Sequence, residues 1–200
     1  MKELIESYYK DKIKPENPDY RVHGWESEAA ARKRFGALFA AVDLNGKTLL
    51  DVGCGVGSLF GELERCKIRC DYVGIDILPA MTAAARQRQP KGVFMTVDLE
   101  EENPFGAKSF DVVYASGIFN LNSGCNERFL TDTVSVFMNI ASESVVFNLL
   151  HERSGDREDE YFYTTPAAVE KLLRRLSPRP RSLEFDDGYS QNDFTVILRL

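Results

Sequence analysis

The chain has 200 residues, 44% of them hydrophobic and 28% charged, with a formal net charge of −6. That length suits one domain with a sizeable core, and the acidic balance disfavours broad nucleic-acid binding, which draws affinity from neutralised phosphates. The N-terminus, M-K-E-L-I-E, is too charged for a secretion signal, and no apolar run approaches a membrane span. Cys54, Cys66, Cys70 and Cys125 show no paired C-x-x-C spacing and no nearby His. No metal site is expected, and four reduced thiols fit a cytoplasmic protein.

Leu4, Ile5, Tyr8, Tyr9 and Ile13 recur at helical spacing, so a short amphipathic helix is expected before Pro15 and Pro18. A second helix is expected from about Ser27 to Ala41, with Phe35 and Leu38 inward and Arg32, Lys33 and Arg34 mostly outward. Trp25 stands just before it, and Trp25, Tyr8 and Tyr9 are candidates to line a pocket. An aromatic face attracts a cation, so such a pocket would suit a positively charged ligand. The turn D-L-N-G-K leads into T-L-L-D-V-G-C-G-V-G-S, Thr48 to Ser58. Thr48, Leu49, Leu50 and Val52 read as a buried strand, and Gly53, Gly55 and Gly57 as a tight turn. Ser58 is the expected cap of a helix starting near Leu59. A dinucleotide fingerprint G-x-G-x-x-G would need its third glycine at position 58, where Ser58 stands. Asp51, two residues before Gly53, offers nothing to a pyrophosphate but suits a cationic ligand.

The run Asp51-Val52-Gly53-Cys54-Gly55-Val56-Gly57 resembles motif I, D-x-G-x-G-x-G, of the class I S-adenosylmethionine (SAM)-dependent methyltransferases. SAM carries a sulfonium and an ammonium and no phosphate. The following elements extend the resemblance. Strand two, Asp71 to Ile75, ends in Asp76, where a ribose's hydroxyls bind in a doubly wound sheet. The text Gly74 to Met81, G-I-D-I-L-P-A-M, is similar to the family's pattern. The resemblance implies that Asp76 grips the ribose, that Ile77 lies against the adenine and that Met81 borders the cofactor. Pro79 opens the next helix. Strand three, Gly92 to Val97, ends in Asp98, and the resemblance implies that Asp98 and the Leu99 backbone meet the adenine edge. Strand four, Phe110 to Ser116, is similar to motif IV, with Ser116 at the cofactor. Ser116-Gly117-Ile118-Phe119-Asn120 then departs from the Asn/Asp-Pro-Pro-aromatic motif of amino-group methyltransferases, although Asn120 remains a candidate substrate ligand.

A helix from about Glu127 to Ala141 precedes strand five, Ser144 to Leu150. His151 follows, then the charged loop E-R-S-G-D-R-E-D-E, read as solvated. Thr165 and Pro166 start a helix that ends near Ser177, and Arg174 to Arg181 reads as its solvated end. Strands Arg181 to Phe185 and Asp193 to Leu200 form an antiparallel return through D-D-G-Y-S.

The expected fold is α/β: a doubly wound, seven-stranded, mostly parallel sheet with an antiparallel last strand. Helices cover both faces, residues 1–43 form a helical cap, and 44–200 form the core of a single 1–200 domain. The resemblance implies methyl transfer from SAM to a small molecule, with S-adenosylhomocysteine as product. The donor is already activated, so alignment and exclusion of water do most of the work. A base is needed only for a protonated acceptor. Cofactor-binding candidates are Asp51, Gly53, Cys54, Gly55, Gly57, Asp76, Ile77, Met81, Asp98, Leu99, Ser116 and Arg34, the last as a clamp on the methionine carboxylate. Substrate candidates are Trp25, Tyr8, Asn120 and His151, and the only histidines, His151 and His23, are the candidate bases. The competing readings are a non-catalytic SAM-binding regulatory module and an NAD-dependent oxidoreductase. Against the second, Tyr8 and Lys12 have Tyr-x-x-x-Lys spacing but precede the nucleotide loop. No nucleic-acid or membrane partner is expected, and the chain is read as a monomer or homodimer.

Overall fold

The computed structural model describes residues 1–200. In chain order the elements are α1 (Lys2–Tyr9), α2 (Asp19–Val22), α3 (Glu28–Ala41), β1 (Thr48–Val52), α4 (Ser58–Cys66), β2 (Asp71–Asp76), α5 (Pro79–Arg88), β3 (Val93–Thr96), β4 (Phe110–Ala115), α6 (Asn126–Ile140), β5 (Ala141–His151), β6 (Tyr163–Thr164), α7 (Pro166–Leu173), β7 (Ser182–Asp186) and β8 (Asp193–Arg199). The strand order is β3-β2-β1-β4-β5-β8-β7, with β6 beside β5. This is the mostly parallel sheet with antiparallel C-terminal strands that the sequence predicts. No helix is long and apolar enough to cross a membrane.

By compactness the chain divides into two units, Met1–Asn103 and Pro104–Leu200. The first holds the N-terminal helices with β1, β2 and β3. Leu49 and Leu50 are fully buried on β1, which pairs in parallel with β2 from Thr48↔Asp71 to Val52↔Ile75. Helix starts here are local. Ser27 accepts from the Ala30 N–H to cap α3, and Pro79 occupies the first turn of α5. In the second unit β5 runs through eleven residues. It pairs in parallel with β4 and β6 and antiparallel with β8. Burial on both faces explains the apolar text Val145–Leu150, interrupted only by Asn148. Thr165 accepts from the Ala168 N–H and caps α7, with Pro166 behind it.

Three expectations need correction. Gly57, at φ 83°, is itself the N-cap of α4. Its left-handed turn feeds straight into the helix, so Ser58 is the first helical residue and its hydroxyl is free for tertiary contacts. Arg34 does not face outward; it is 7% exposed. Helix α7 stops at Leu173, short of Ser177. The two-residue β6 and one-turn α2 carry no sequence signal of their own, because both are defined by what they pack against. The arginines from Arg174 to Arg181 are exposed, as expected.

Candidate functional site

In the first unit the site is built around the carboxyl ends of β1 and β2. The N–H groups of Gly53 and Cys54 both donate to the Ile75 carbonyl, at 2.8 and 2.9 Å, which folds the glycine loop back over β2. Asp76 closes that strand. Its Oδ2 accepts from the Gly55 N–H at 3.0 Å and its Oδ1 from the Leu78 N–H at 2.9 Å. The residue is 8% exposed, and desolvation raises its carboxyl to a pKa of about 6, against those two backbone donors. A carboxylate accepts about four hydrogen bonds. Two are used for anchoring, and the rest suit a vicinal diol, so Asp76 fits a ribose.

Asp51 is placed differently. It is 3% exposed and accepts the Tyr72 hydroxyl at 2.7 Å. Burial pushes its pKa up to about 7, with Tyr72 opposing and Asp76 adding to the rise. Cys54 is buried, and desolvation followed by the charges of Asp51 and Asp76 raises its thiol strongly, so it is not a nucleophile at neutral pH. Asp98 makes a turn after β3, its Oδ1 accepting from the Glu100 N–H at 3.0 Å. Both Asp98 and Leu99 are half-buried.

The N-terminal helices are part of this unit and cover its loop. Val22, Val56, Leu78 and Met81 form one buried cluster, with Ile5, Tyr9, Ile13, Ile77 and Ala84 packed on it. Ile77 and Met81 thus meet the cap. The His23 ring lies so close to Gly55 that a Cβ there would fall inside it. His23 Nε2 is 3.0 Å from Ser58 Oγ, and Ser58 Oγ donates to Asp19 Oδ2 at 2.9 Å. The serine has one proton, given to Asp19, so His23 is the Nε2–H tautomer and donates. Arg88 completes the chain, pairing with Asp19 Oδ1 and donating to the carbonyls of Lys14 and Asn17. Trp25 stacks on His23 at 4.3 Å and 13°, and the Arg34 guanidinium stands 5.5 Å from the Trp25 ring. Desolvation lowers His23 to a pKa of about 4, with Asp19 opposing. Tyr9 is raised chiefly by burial, then by Tyr8 and Asp76. Tyr8 points elsewhere: the Lys12 ammonium lies 3.1 Å from its ring centroid, and its hydroxyl is 2.5 Å from where a Gly24 Cβ would sit.

In the second unit β4 ends at Ala115, and Ser116 to Asn120 form a turn with Gly117 at φ 85°. The Gly117 N–H donates to Asn148 Oδ1 at 2.9 Å, and the Asn120 N–H donates to the Gly117 carbonyl at 3.2 Å. A second stretch zips onto the turn. The Phe162 N–H donates to the Asn120 carbonyl at 2.7 Å, the Asn122 N–H to Glu160 at 2.8 Å, and Leu121 bridges Tyr161. Phe119 is buried beneath, edge-on to Phe129 and Phe147. Three buried polar atoms in this frame have no hydrogen-bond partner: Ser116 Oγ, Asn120 Oδ1 and Asn148 Nδ2. His151, at the end of β5, accepts the Arg153 N–H on Nδ1 at 3.1 Å. Its proton is therefore on Nε2, and the ring is a donor here. Desolvation first, then Arg153, lowers its pKa. The charged loop beyond it is largely exposed but tied, with the Arg153 guanidinium on the Asp187 and Ser190 carbonyls and Ser154 Oγ on Asn192. Asn148, Ser58, Asp19 and Arg88 were not legible as site residues. The only sequence signal for Asn148 is one polar residue inside an apolar strand.

Known proteins supply an independent line. Residues 50–128 match the family model described as a methyltransferase domain. A Mycobacterium tuberculosis protein named as a methyltransferase, Rv1506c, is 26% identical over 158 residues, covering 74% of this chain and 90% of its own. The malonyl-[acyl-carrier protein] O-methyltransferase of Legionella pneumophila is 29% identical over 112 residues, covering 52% of this chain and 39% of its own. Among solved structures, the magnesium protoporphyrin IX methyltransferase of Synechocystis PCC 6803 with bound S-adenosylhomocysteine superimposes with a TM-score of 0.71. Identity there is 17%, over 100% of this chain and 99% of that one. With the acid-glycine loop, the Asp76 geometry and the strand order already described, residues 50–128 are similar to a methyltransferase domain and the chain has the fold of the class I, Rossmann-like SAM-dependent methyltransferases.

Proposed function

We propose that this enzyme methylates a small molecule, and that it does so by alignment rather than by a side-chain base. The observation that carries the reading is the cap. His23 sits on Gly55 while Ile5, Tyr9 and Ile13 pack with Ile77 and Met81, so the chain's own N-terminal helices enclose the cofactor loop. A covered loop suits a small acceptor better than a nucleic acid, and so does the net charge of −6. The magnesium protoporphyrin named for one structural neighbour points the same way.

Asp76 would hold the ribose hydroxyls, Ile77 would lie against the adenine, and Asp98 with the Leu99 backbone would meet the adenine edge. The Gly53–Gly57 backbone would lie along the ligand, and buried Arg34 would take the methionine carboxylate. When bound, SAM supplies a methyl group on a positive sulfur. Neither histidine is suited to remove a proton. His23, at about 4, is too weak a base at neutral pH, and the lone-pair nitrogen of His151 is occupied. The chain's contribution is to orient the two reactants and exclude water. Asp51, tied to Tyr72, shapes the loop from beneath.

The test is to incubate the enzyme with methyl-labelled SAM and a fractionated cell extract. Label in the small-molecule fraction is expected. Label in protein or RNA contradicts the reading, and no transfer to any fraction, with S-adenosylhomocysteine still bound, favours a regulatory module.

A further inference from the structure

The turn after β4 and Asn148 on β5, which meets it at the Gly117 N–H, hold three buried polar atoms that the fold leaves without partners. Asn148 is 1% exposed. Its Oδ1 fixes the Gly117 N–H, which aims the amide, and its Nδ2 then has two protons and no acceptor. Asn120 presents the opposite chemistry, a carbonyl oxygen with no donor, and Ser116 presents a hydroxyl that can serve either way. Looseness does not account for them. The turn is pinned by Asn148, by the Glu160–Phe162 stretch and by buried Phe119. Leaving a buried polar group unsatisfied is costly, and native chains hold only a few such groups per hundred residues.

The set also limits what could satisfy it. A carboxylate brings only acceptors and would oppose Asn120 Oδ1. An ammonium brings only donors and would oppose Asn148 Nδ2. A neutral hydroxyl or carboxamide brings both. We propose that Ser116, Asn120 and Asn148 form a subsite that binds the methyl acceptor through a neutral group able both to donate and to accept hydrogen bonds. This rests on the small-molecule reading above and adds the polarity of the acceptor.

Three probes of one shape separate the cases: benzamide, benzoate and benzylamine. Each is titrated into 15N-labelled full-length enzyme saturated with S-adenosylhomocysteine, with the Asn side-chain amide signals followed. Benzamide is expected to shift Asn120 and Asn148 and to bind about tenfold tighter than either charged probe. Asn148→Asp keeps an oxygen for the Gly117 N–H and removes the donor. It should weaken benzamide about tenfold and leave S-adenosylhomocysteine affinity unchanged. Thermal unfolding checks that this variant folds, and Asn120→Leu, which leaves the Gly117 contact in place, serves if it does not. Equal or tighter binding of benzoate or benzylamine, benzamide binding that leaves both amides unmoved, or no binding by any probe overturns the proposal. Label in a macromolecular fraction would instead overturn the small-molecule reading.

Discussion

The residues around Asp76 and those around Asn148 are both polar and buried, yet they are finished differently. At the first, both oxygens of Asp76 have backbone donors, Asp51 has Tyr72, and His23, Ser58, Asp19 and Arg88 form an unbroken chain. At the second, Ser116, Asn120 and Asn148 each keep an atom with no partner. Hydrogen bonds made within the fold hold a loop in a set shape. Polar atoms left bare in a rigid frame weaken the fold and reserve their bonding for something else. On the proposed roles, one chain builds its cofactor loop for rigidity and its acceptor turn for recognition.

Substitutions can break that contrast. The largest effect is expected from Asp76→Ala. It removes the carboxylate proposed to hold the ribose and both backbone anchors, and charge-assisted bonds contribute about 1.5–3 kcal/mol each, so S-adenosylhomocysteine binding should fall on the order of a hundredfold by calorimetry. Next is Gly55→Ala. Its φ of 54° disfavours a side chain, and the new methyl would have to expel His23. A loss of about 2–4 kcal/mol is expected in denaturant unfolding, with a change in Trp25 fluorescence.

Acidity sharpens the same comparison. Asp51 has a folded pKa of about 7, above its ordinary 3.8. The folded state then binds more protons than the unfolded between those values, so its stability contribution is present at low pH and lost as pH rises through 7. Asp51→Asn keeps an oxygen for Tyr72 and should stabilise by about 2 kcal/mol at pH 8 and far less at pH 4 in thermal scans. His23 works in the opposite sense. Its folded pKa of about 4 lies below 6.5, so its contribution is present above 6.5 and lost as pH falls toward 4. His23→Gln should flatten that acid limb. The smallest effect belongs to the exposed Arg174–Glu170 pair. Arg174→Ala should change stability by less than about 0.5 kcal/mol in the same scans.

What the sequence makes legible follows range. Strand β1, the glycine loop, and the acids Asp51, Asp76 and Asp98 at or just beyond strand ends are signals within a few residues, as is the cap Thr165. Contacts set by distant chain are not legible. His23 meets Ser58 across 35 positions and Arg88 meets Asp19 across 69. The glycines show how a correct motif can have a second cause. Gly55 gives room to the His23 ring, and a Cβ on Gly57 would come within 2.9 Å of Phe94, so packing within the protein demands glycine there as well. Ser58 misled because its local preference is to cap, whereas Gly57 had already turned the chain into the helix. Arg34 misled because helical spacing counts faces and does not show which face a neighbour covers.

The most direct measurement is calorimetric titration of S-adenosylhomocysteine into three proteins: the natural chain, Asp76→Ala and Asn148→Asp. The natural chain and Asn148→Asp are expected to bind alike, and Asp76→Ala is expected to lose binding. Retained binding in folded Asp76→Ala, or lost binding in folded Asn148→Asp, would contradict the proposed assignment of the cofactor to the Asp76 loop and of the acceptor to the turn after β4.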